Sequence, residues 1–282
     1  MHLVLVHIGP QFPSYLNDCI EQALRIINIP IHVIISRQHI PLIKYSVHTE
    51  AIEDLPTDSY YQSFERVSRL DSSFRDGFWK FAVLRFFYIY AYAQKHNLSD
   101  IFHIEYDNLI YHDFTKKIDV FRQKDLWLVL DAPERCIPSF MYFKNSKSIE
   151  NTLPLLITCS YQGINDMNAF AHYYHNNRDN VGLLPIISNY QDSIPPCYYE
   201  NASAFECLFD GACVGQYIGG VDPRNIPGDT RGFINETSVI KCNRCDVRWH
   251  IIDNLKYPFL NNMPLVNLHI HSKDLKTWCS NL

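Results

Sequence analysis

"HLVLVHIGPQFPSYLNDCIEQALRIINIPIHVIIS", residues 2–36, decides the fold class. Residues 2–8 form a short apolar run stopped by Gly9-Pro10, the pattern of a buried strand. Over residues 13–27, Tyr15, Leu16, Cys19, Ile20, Ala23, Leu24 and Ile27 recur at helical spacing and share one face. Residues 31–36 form a second short run, rich in β-branched side chains. Strand, helix and strand at this spacing predict a βαβ unit, hence a parallel sheet and an α/β fold.

The pattern continues outward. The spacing predicts a short helix over 59–70 and a long one over 76–97. The long helix has an apolar surface too wide for a simple stripe, so burial on most sides is expected. Strands are expected at 101–104, 126–130 and 139–145, and a helix at 160–174. Residues 176–201 are polar, with Pro185, Pro195 and Pro196, and read as loop. A helix over 205–218 would end at Gly219-Gly220, before a Pro/Gly-rich loop at 222–230. Strands are expected within 239–252 and at 265–271. No repeat, low-complexity tract or linker interrupts the chain, so one domain over 1–282 is expected, with halves at 1–130 and 131–282.

Composition narrows the function classes. The chain has 282 residues, 47% of them apolar, enough for a large core. Net charge is −5, without the basic footprint of a nucleic-acid binder, so no nucleic-acid partner is expected. Residues 1–8 lack the basic start and apolar length of a secretory signal. No run approaches the roughly 20 apolar residues that span a bilayer, so no transmembrane segment is expected. Nine Cys, an odd number without a framework pattern, suit a reducing compartment. The expected location is the cytoplasm, with peripheral attachment to a membrane left open. Cys242 and Cys245 form a single C-x-x-C pair, short of the four ligands of a zinc site, and read as structural.

The chemistry is expected in "HIEYDNLIY", residues 103–111. Here Glu105 and Asp107 follow an apolar strand, and ligands of open parallel sheets gather at the carboxyl ends of strands. On an extended backbone, residues i and i+2 point to one side. Two carboxylates so close repel unless a cation or a shared proton lies between them. Mn²⁺ or Mg²⁺ is the fitting occupant; a loop of solvated acids is the alternative. Near the chain's end, His269 and His271 share a face and Lys273 follows. Imidazole is a ligand for Mn²⁺, and a Lys ammonium suits phosphate; a solvent-facing edge strand would also explain the pair.

These residues, with "VHIGPQFPSYLNDCI" (6–20), "FWKFAVLRFFYIYAYAQKHNL" (78–98), "FDGACVGQYIGGVDPRN" (209–225) and "NLHIHSKDL" (267–275), resemble GT-A-type glycosyltransferases, in particular a sparsely characterised microbial and large-virus group. The resemblance covers most of the chain and is weakest over 145–200. It implies a GT-A fold: a Rossmann-like, mostly parallel central sheet flanked by helices, with an acceptor-side C-terminal half merged onto it. It implies metal-dependent transfer of a sugar from a nucleoside-diphosphate-sugar to a hydroxyl of a glycan, a lipid-linked saccharide or a protein. Glu105-Tyr106-Asp107 stands where the family has an acidic D-x-D metal motif. It departs from that motif in its first acid, which makes Asp107 the firmer ligand. A late His on the metal falls to His269 or His271, with His271 preferred, and Lys273 would meet the phosphates. His7 and Gly9 would line the nucleoside site. Arg85 would reach the donor, or form a structural ion pair with an acid of the triplet. An inverting enzyme needs a carboxylate base. Asp210 is the candidate, with small residues after it for close substrate approach, and Asp222 stands behind it. A helix cap is the competing role for Asp210 and an Asp-Pro turn for Asp222. A non-catalytic nucleotide-sugar or glycan-binding module, or a metal-dependent phosphohydrolase, are the alternative functions.

Overall fold

The structure is a computed structural model that describes residues 1–188 and 194–281. The strands used below are β1 (His2–His7), β2 (Ile31–Ile35), β3 (His48–Ala51), β4 (Ser99–Ile104), β5 (Asn108–Ile110), β6 (Leu126–Leu128), β7 (Phe140–Asn145), β8 (Val181–Leu183), β9 (Val247–Ile252), β10 (Leu255–Leu260) and β11 (Asn267–His269). The helices used below are α1 (Leu16–Ile26), α2 (Ser59–Val67), α3 (Phe78–Lys95), α4 (Leu153–Tyr161), α5 (Asp166–Asn176) and α6 (Cys213–Gly219).

Seven strands form the central sheet in the order β8-β6-β7-β4-β1-β2-β3. Every neighbouring pair is parallel except the two made by β7, which runs antiparallel between β4 and β6. The expected mostly parallel α/β sheet is therefore present. Parallel strands are covered on both faces and need continuous apolar runs; Leu3, Val4 and Leu5 of β1 are all fully buried. α3 is buried over most of its circumference, as its wide apolar surface requires. The sheet draws strands from both sides of residue 130, so the two halves share one core. Among the described residues, no helix is long and apolar enough to cross a membrane.

Several elements differ from expectation. The helix expected over 160–174 is two helices. Gly163, at φ 74°, takes the left-handed conformation that ends α4, the Ile164 N–H closes back onto Cys159 O at 2.9 Å, and Asn165 caps α5. The helix expected over 205–218 begins only at Cys213. Glu206 turns left-handed and Leu208 is extended, bridging Leu265. In 239–252 the strand begins at Val247, after a single 3₁₀ turn at Cys242–Arg244. β8 lies inside the segment read as loop, because three residues are too few to show a period. Residues 189–193 of that segment lie outside the described residues.

β1 has β2 on one side and β4 on the other, with chain connections leaving in opposite directions. This is the switch point of the sheet, where the carboxyl ends of neighbouring strands leave a crevice.

Candidate functional site

A cleft of about 690 Å³ opens at that crevice, lined by the ends of β1 and β4, the start of α3, and segments near 222–225 and 269–273. The triplet does not continue β4. The Asn108 N–H donates to Glu105 O at 3.0 Å, so Glu105-Tyr106-Asp107-Asn108 is a tight turn. Both carboxylates do share one spot, but the turn gathers them rather than strand alternation.

β11 reaches this turn by pairing antiparallel with β5, Asn267 opposite Ile110 and His269 opposite Asn108. A buried amide ladder sets the register: Asn267 Nδ2 donates to Asn108 Oδ1 at 3.0 Å, Asn108 Nδ2 to Ser139 O at 2.8 Å, and the Asp210 N–H to Asn267 Oδ1 at 3.2 Å. A one-residue slip would leave these groups unpaired in the core, a cost of about 1–3 kcal/mol each.

His269 Nε2 consequently lies 3.1 Å from Asp107 Oδ1 and 3.3 Å from Glu105 Oε2. Ligand atoms of Glu105, Asp107 and His269 fall within 4.8 Å of one another. The Lys273 ammonium pairs with the other oxygen of Asp107. Burial works against the Asp107 carboxylate, yet His269 and Lys273 outweigh it and hold its pKa well below the usual range. Burial likewise opposes charge on His269, and Asp107 and Glu105 overcome it, raising the imidazole above its ordinary value. Two cationic side chains thus stand where a divalent ion would balance the same carboxylates. Two carboxylates and an imidazole suit Mn²⁺ or Mg²⁺ and leave coordination positions for oxygens of a substrate.

His271, the residue preferred from sequence, is not in that cluster. Its ring lies 4.2 Å from that of His269, and its Nδ1 accepts from Gln216 Nε2 at 3.0 Å. This places the proton on Nε2, which is buried without a partner among the described residues. Burial, His269 and Lys273 together keep its pKa well below 6.5, so the ring is neutral. His269 is the residue that geometry brings to the acids.

Arg85 lines the cleft but is 7% exposed, pairing with Glu105 and, at 2.9 Å, with Asp166. Burial pushes the Asp166 carboxyl up to about 6 against the pull of Arg85. Burial also opposes charge on Glu105, but Arg85 and His269 hold its pKa below the ordinary value. Asp166 had no motif to reveal it: it is the first residue of α5, and only packing against Arg85 brings it to the cleft.

His7 lines the cleft with both ring nitrogens engaged, Nε2 on Gln11 O at 2.9 Å and Nδ1 on the Tyr106 hydroxyl at 3.0 Å. Burial lowers its pKa to about 4, so it is a neutral bracket for Tyr106. Gly9 lines the same wall, where a Cβ would come 3.3 Å from the His7 ring.

Asp210, the candidate base, does not line the cleft. It is 1% exposed, and its two oxygens accept from the backbone N–H groups of Val214 (3.0 Å), Gly215 (2.8 Å) and His269 (3.0 Å). It caps α6 and ties that helix to β11. The small residues after it serve the same contact: a Cβ on Gly215 would lie 2.0 Å from His269 O. Asp222 does line the cleft, bonded by Arg75 and by Arg224 at 2.8 Å and 3.1 Å. Burial raises its pKa, but Arg224 and the other donors drive it far below the carboxylate range, which makes it a weak base. Arg75 and Arg224 had escaped the sequence reading; Asp222-Pro223-Arg224 was the only signal, and Arg75 comes from 147 residues away.

No family model and no curated protein matches the chain. Solved structures do. Mouse xyloside xylosyltransferase 1, apo form, is 11% identical with a TM-score of 0.49, covering 65% of this chain and 84% of that one. Galactosyltransferase LgtC, in complex with donor and acceptor sugar analogues, is 10% identical at 0.43, covering 66% and 73%. Glycosyltransferase GlyE of Streptococcus pneumoniae TIGR4 is 11% identical at 0.38, covering 65% and 44%. Likenesses this distant carry no activity to this chain; its strand order and cleft chemistry stand on their own.

Proposed function

We propose that this chain is a metal-dependent glycosyltransferase of the GT-A type, moving a sugar from a nucleoside-diphosphate-sugar to a hydroxyl acceptor. The observation that supports the reading is the meeting of Glu105, Asp107 and His269 with Lys273 at the switch point of the sheet. Asp107 and His269, with Glu105 beside them, would hold Mn²⁺ or Mg²⁺. When bound, the ion supplies Lewis-acid stabilisation of the charge that grows on the departing diphosphate. As a ligand, His269 would be neutral, and Lys273, no longer needed by Asp107, would be free to meet phosphate oxygens. The buried Nε2–H of His271 is a further donor for the same oxygens. Arg85 fixes the orientation of Glu105, and His7 fixes Tyr106. Asp210 is latched to backbone and Asp222 is held by two guanidiniums, so neither carboxylate is free to act as a general base.

The test is incubation with a panel of nucleotide-sugars and Mn²⁺, following slow donor hydrolysis and the shift in melting temperature. Mn²⁺-dependent hydrolysis of at least one donor is expected, and Asp107→Ala should remove it while the fold survives. A thermal shift without hydrolysis would favour a binding module. No response to any nucleotide-sugar, or near-normal turnover in Asp107→Ala, would refute the assignment.

A further inference from the structure

We propose that the protein carries a second ligand site, for one neutral sugar ring, at the opposite end of the sheet from the cleft. The site is a pocket of about 250 Å³. At about 30 Å³ per water it holds about eight waters, room for one sugar ring and too little for a nucleotide. β6 and β8 run parallel there, Val181 opposite Leu126, and their amino ends form its floor. The Asp125 and Leu126 N–H groups both donate to Asn180 O, at 2.9 and 3.3 Å, which fixes the floor's shape. Asn151 closes one wall, and Tyr173 in the last turn of α5 and Asn177 just after it close the other.

The polar groups of this pocket are not consumed by the fold. Asn177 Nδ2 donates to Tyr173 O at 2.8 Å, which leaves its carbonyl oxygen as an acceptor. Among the described residues, the side-chain amides of Asn151 and Asn180 and the Tyr173 hydroxyl have no hydrogen-bond partner. The nearest cation to the Asp125 carboxylate is Lys144, at 4.0 Å. An acceptor-only carboxylate, amides that both donate and accept, and a phenol are complementary to adjacent hydroxyls, each of which both donates and accepts. The half-buried Tyr173 ring supplies an apolar surface for the C–H face of a ring.

The same lining excludes anions. None of its residues is cationic, and Lys124 next door is spent on the carbonyls of Arg178 and Asp179 at 3.3 and 2.8 Å. A phosphate would meet the Asp125 carboxylate, beside which Lys144, at 4.0 Å, is the nearest cation among the described residues. The site is independent of the reading of the cleft.

The experiment is saturation-transfer NMR on the full chain in EDTA with glucose, galactose, mannose, xylose and N-acetylglucosamine, and inorganic phosphate as the control. At least one sugar should bind saturably, on the order of millimolar, and shift the side-chain amide signals of Asn151 and Asn180. Asp125→Ala and Asn180→Ala should each weaken that binding at least about tenfold, while Asp107→Ala should leave it unchanged. Asn151 and Asn180 are exposed, so Asn151→Ala serves as a further variant if Asp125→Ala unfolds. Three outcomes overturn the proposal: no saturable binding of any sugar, binding unaltered in the pocket variants, or tighter binding of phosphate.

Discussion

Asp210→Asn separates two roles for one carboxylate. If Asp210 were a general base, the amide would be nearly isosteric, stability would hold, and only turnover would collapse. The structure argues otherwise. Asp210 Oδ2 accepts from Gly215 and His269, and Oδ1 accepts from Val214. An Asn keeps one acceptor and places an NH₂ against a buried N–H. At least one backbone donor is then orphaned, at about 1–3 kcal/mol, and the surviving bonds drop from charged to neutral strength, about 1 kcal/mol each. Burial of the charge pushes the Asp210 pKa up, so removing that charge returns part of the loss. The net expectation is a destabilisation of about 3 kcal/mol. With a urea m-value of about 3 kcal/mol/M, the midpoint falls by about 1 M. Because His269 hangs from the same carboxylate, Mn²⁺ affinity should fall together with stability. Urea unfolding followed by circular dichroism, with Mn²⁺ titrated by calorimetry under native conditions, reads both. An unchanged midpoint with lost turnover and intact Mn²⁺ binding would refute the latch and restore the base.

Other perturbations test neighbouring parts. Arg85→Met leaves Glu105 and Asp166 without their shared guanidinium and should cost about 3–5 kcal/mol in urea unfolding; a shift near zero would mean the pairs do not form. On the proposed assignment, Mn²⁺ would have to displace the proton that Asp107 and Glu105 hold on His269. Affinity should therefore rise about tenfold per pH unit while His269 stays protonated, and calorimetry in buffers of different ionisation enthalpy should show one proton released. His32 is buried against Tyr92 and His2, and burial, with His2 and His48, lowers its pKa to about 3. The unfolded chain binds a proton near pH 6.5 and the native site does not. That contribution to stability is therefore lost as the pH falls from about 6.5 toward 3, at up to about 1.4 kcal/mol per unit. The urea midpoint of the parent minus that of His32→Gln should fall as the pH drops from 6.5 toward 4, on that slope; a pH-independent difference between pH 7 and 4 would show that His32 titrates normally.

The α/β class was legible because period-2 and period-3.6 apolar patterns are local: residues 2–36 alone announce strand, helix and strand. The carboxylate pair and the late histidines were legible for the same reason, as short spacings of residue types whose chemistry is particular. What the pattern could not settle were contacts between distant segments. His269 rather than His271 meets Asp107 because β11 pairs with β5 in a register set by Asn108 and Asn267, two ordinary amides until they are buried together. Asp210 reads as a free acid until α6 and β11 fold their N–H groups onto it, and Asp166 has no motif at all until Arg85 reaches it. Composition and periodicity report which surfaces must be buried; the direction of a carboxylate depends on which donors the completed core leaves for it. That is a property of packing between chain segments, with Asp107 and its Lys273 partner 166 residues apart, and a one-dimensional pattern does not carry it.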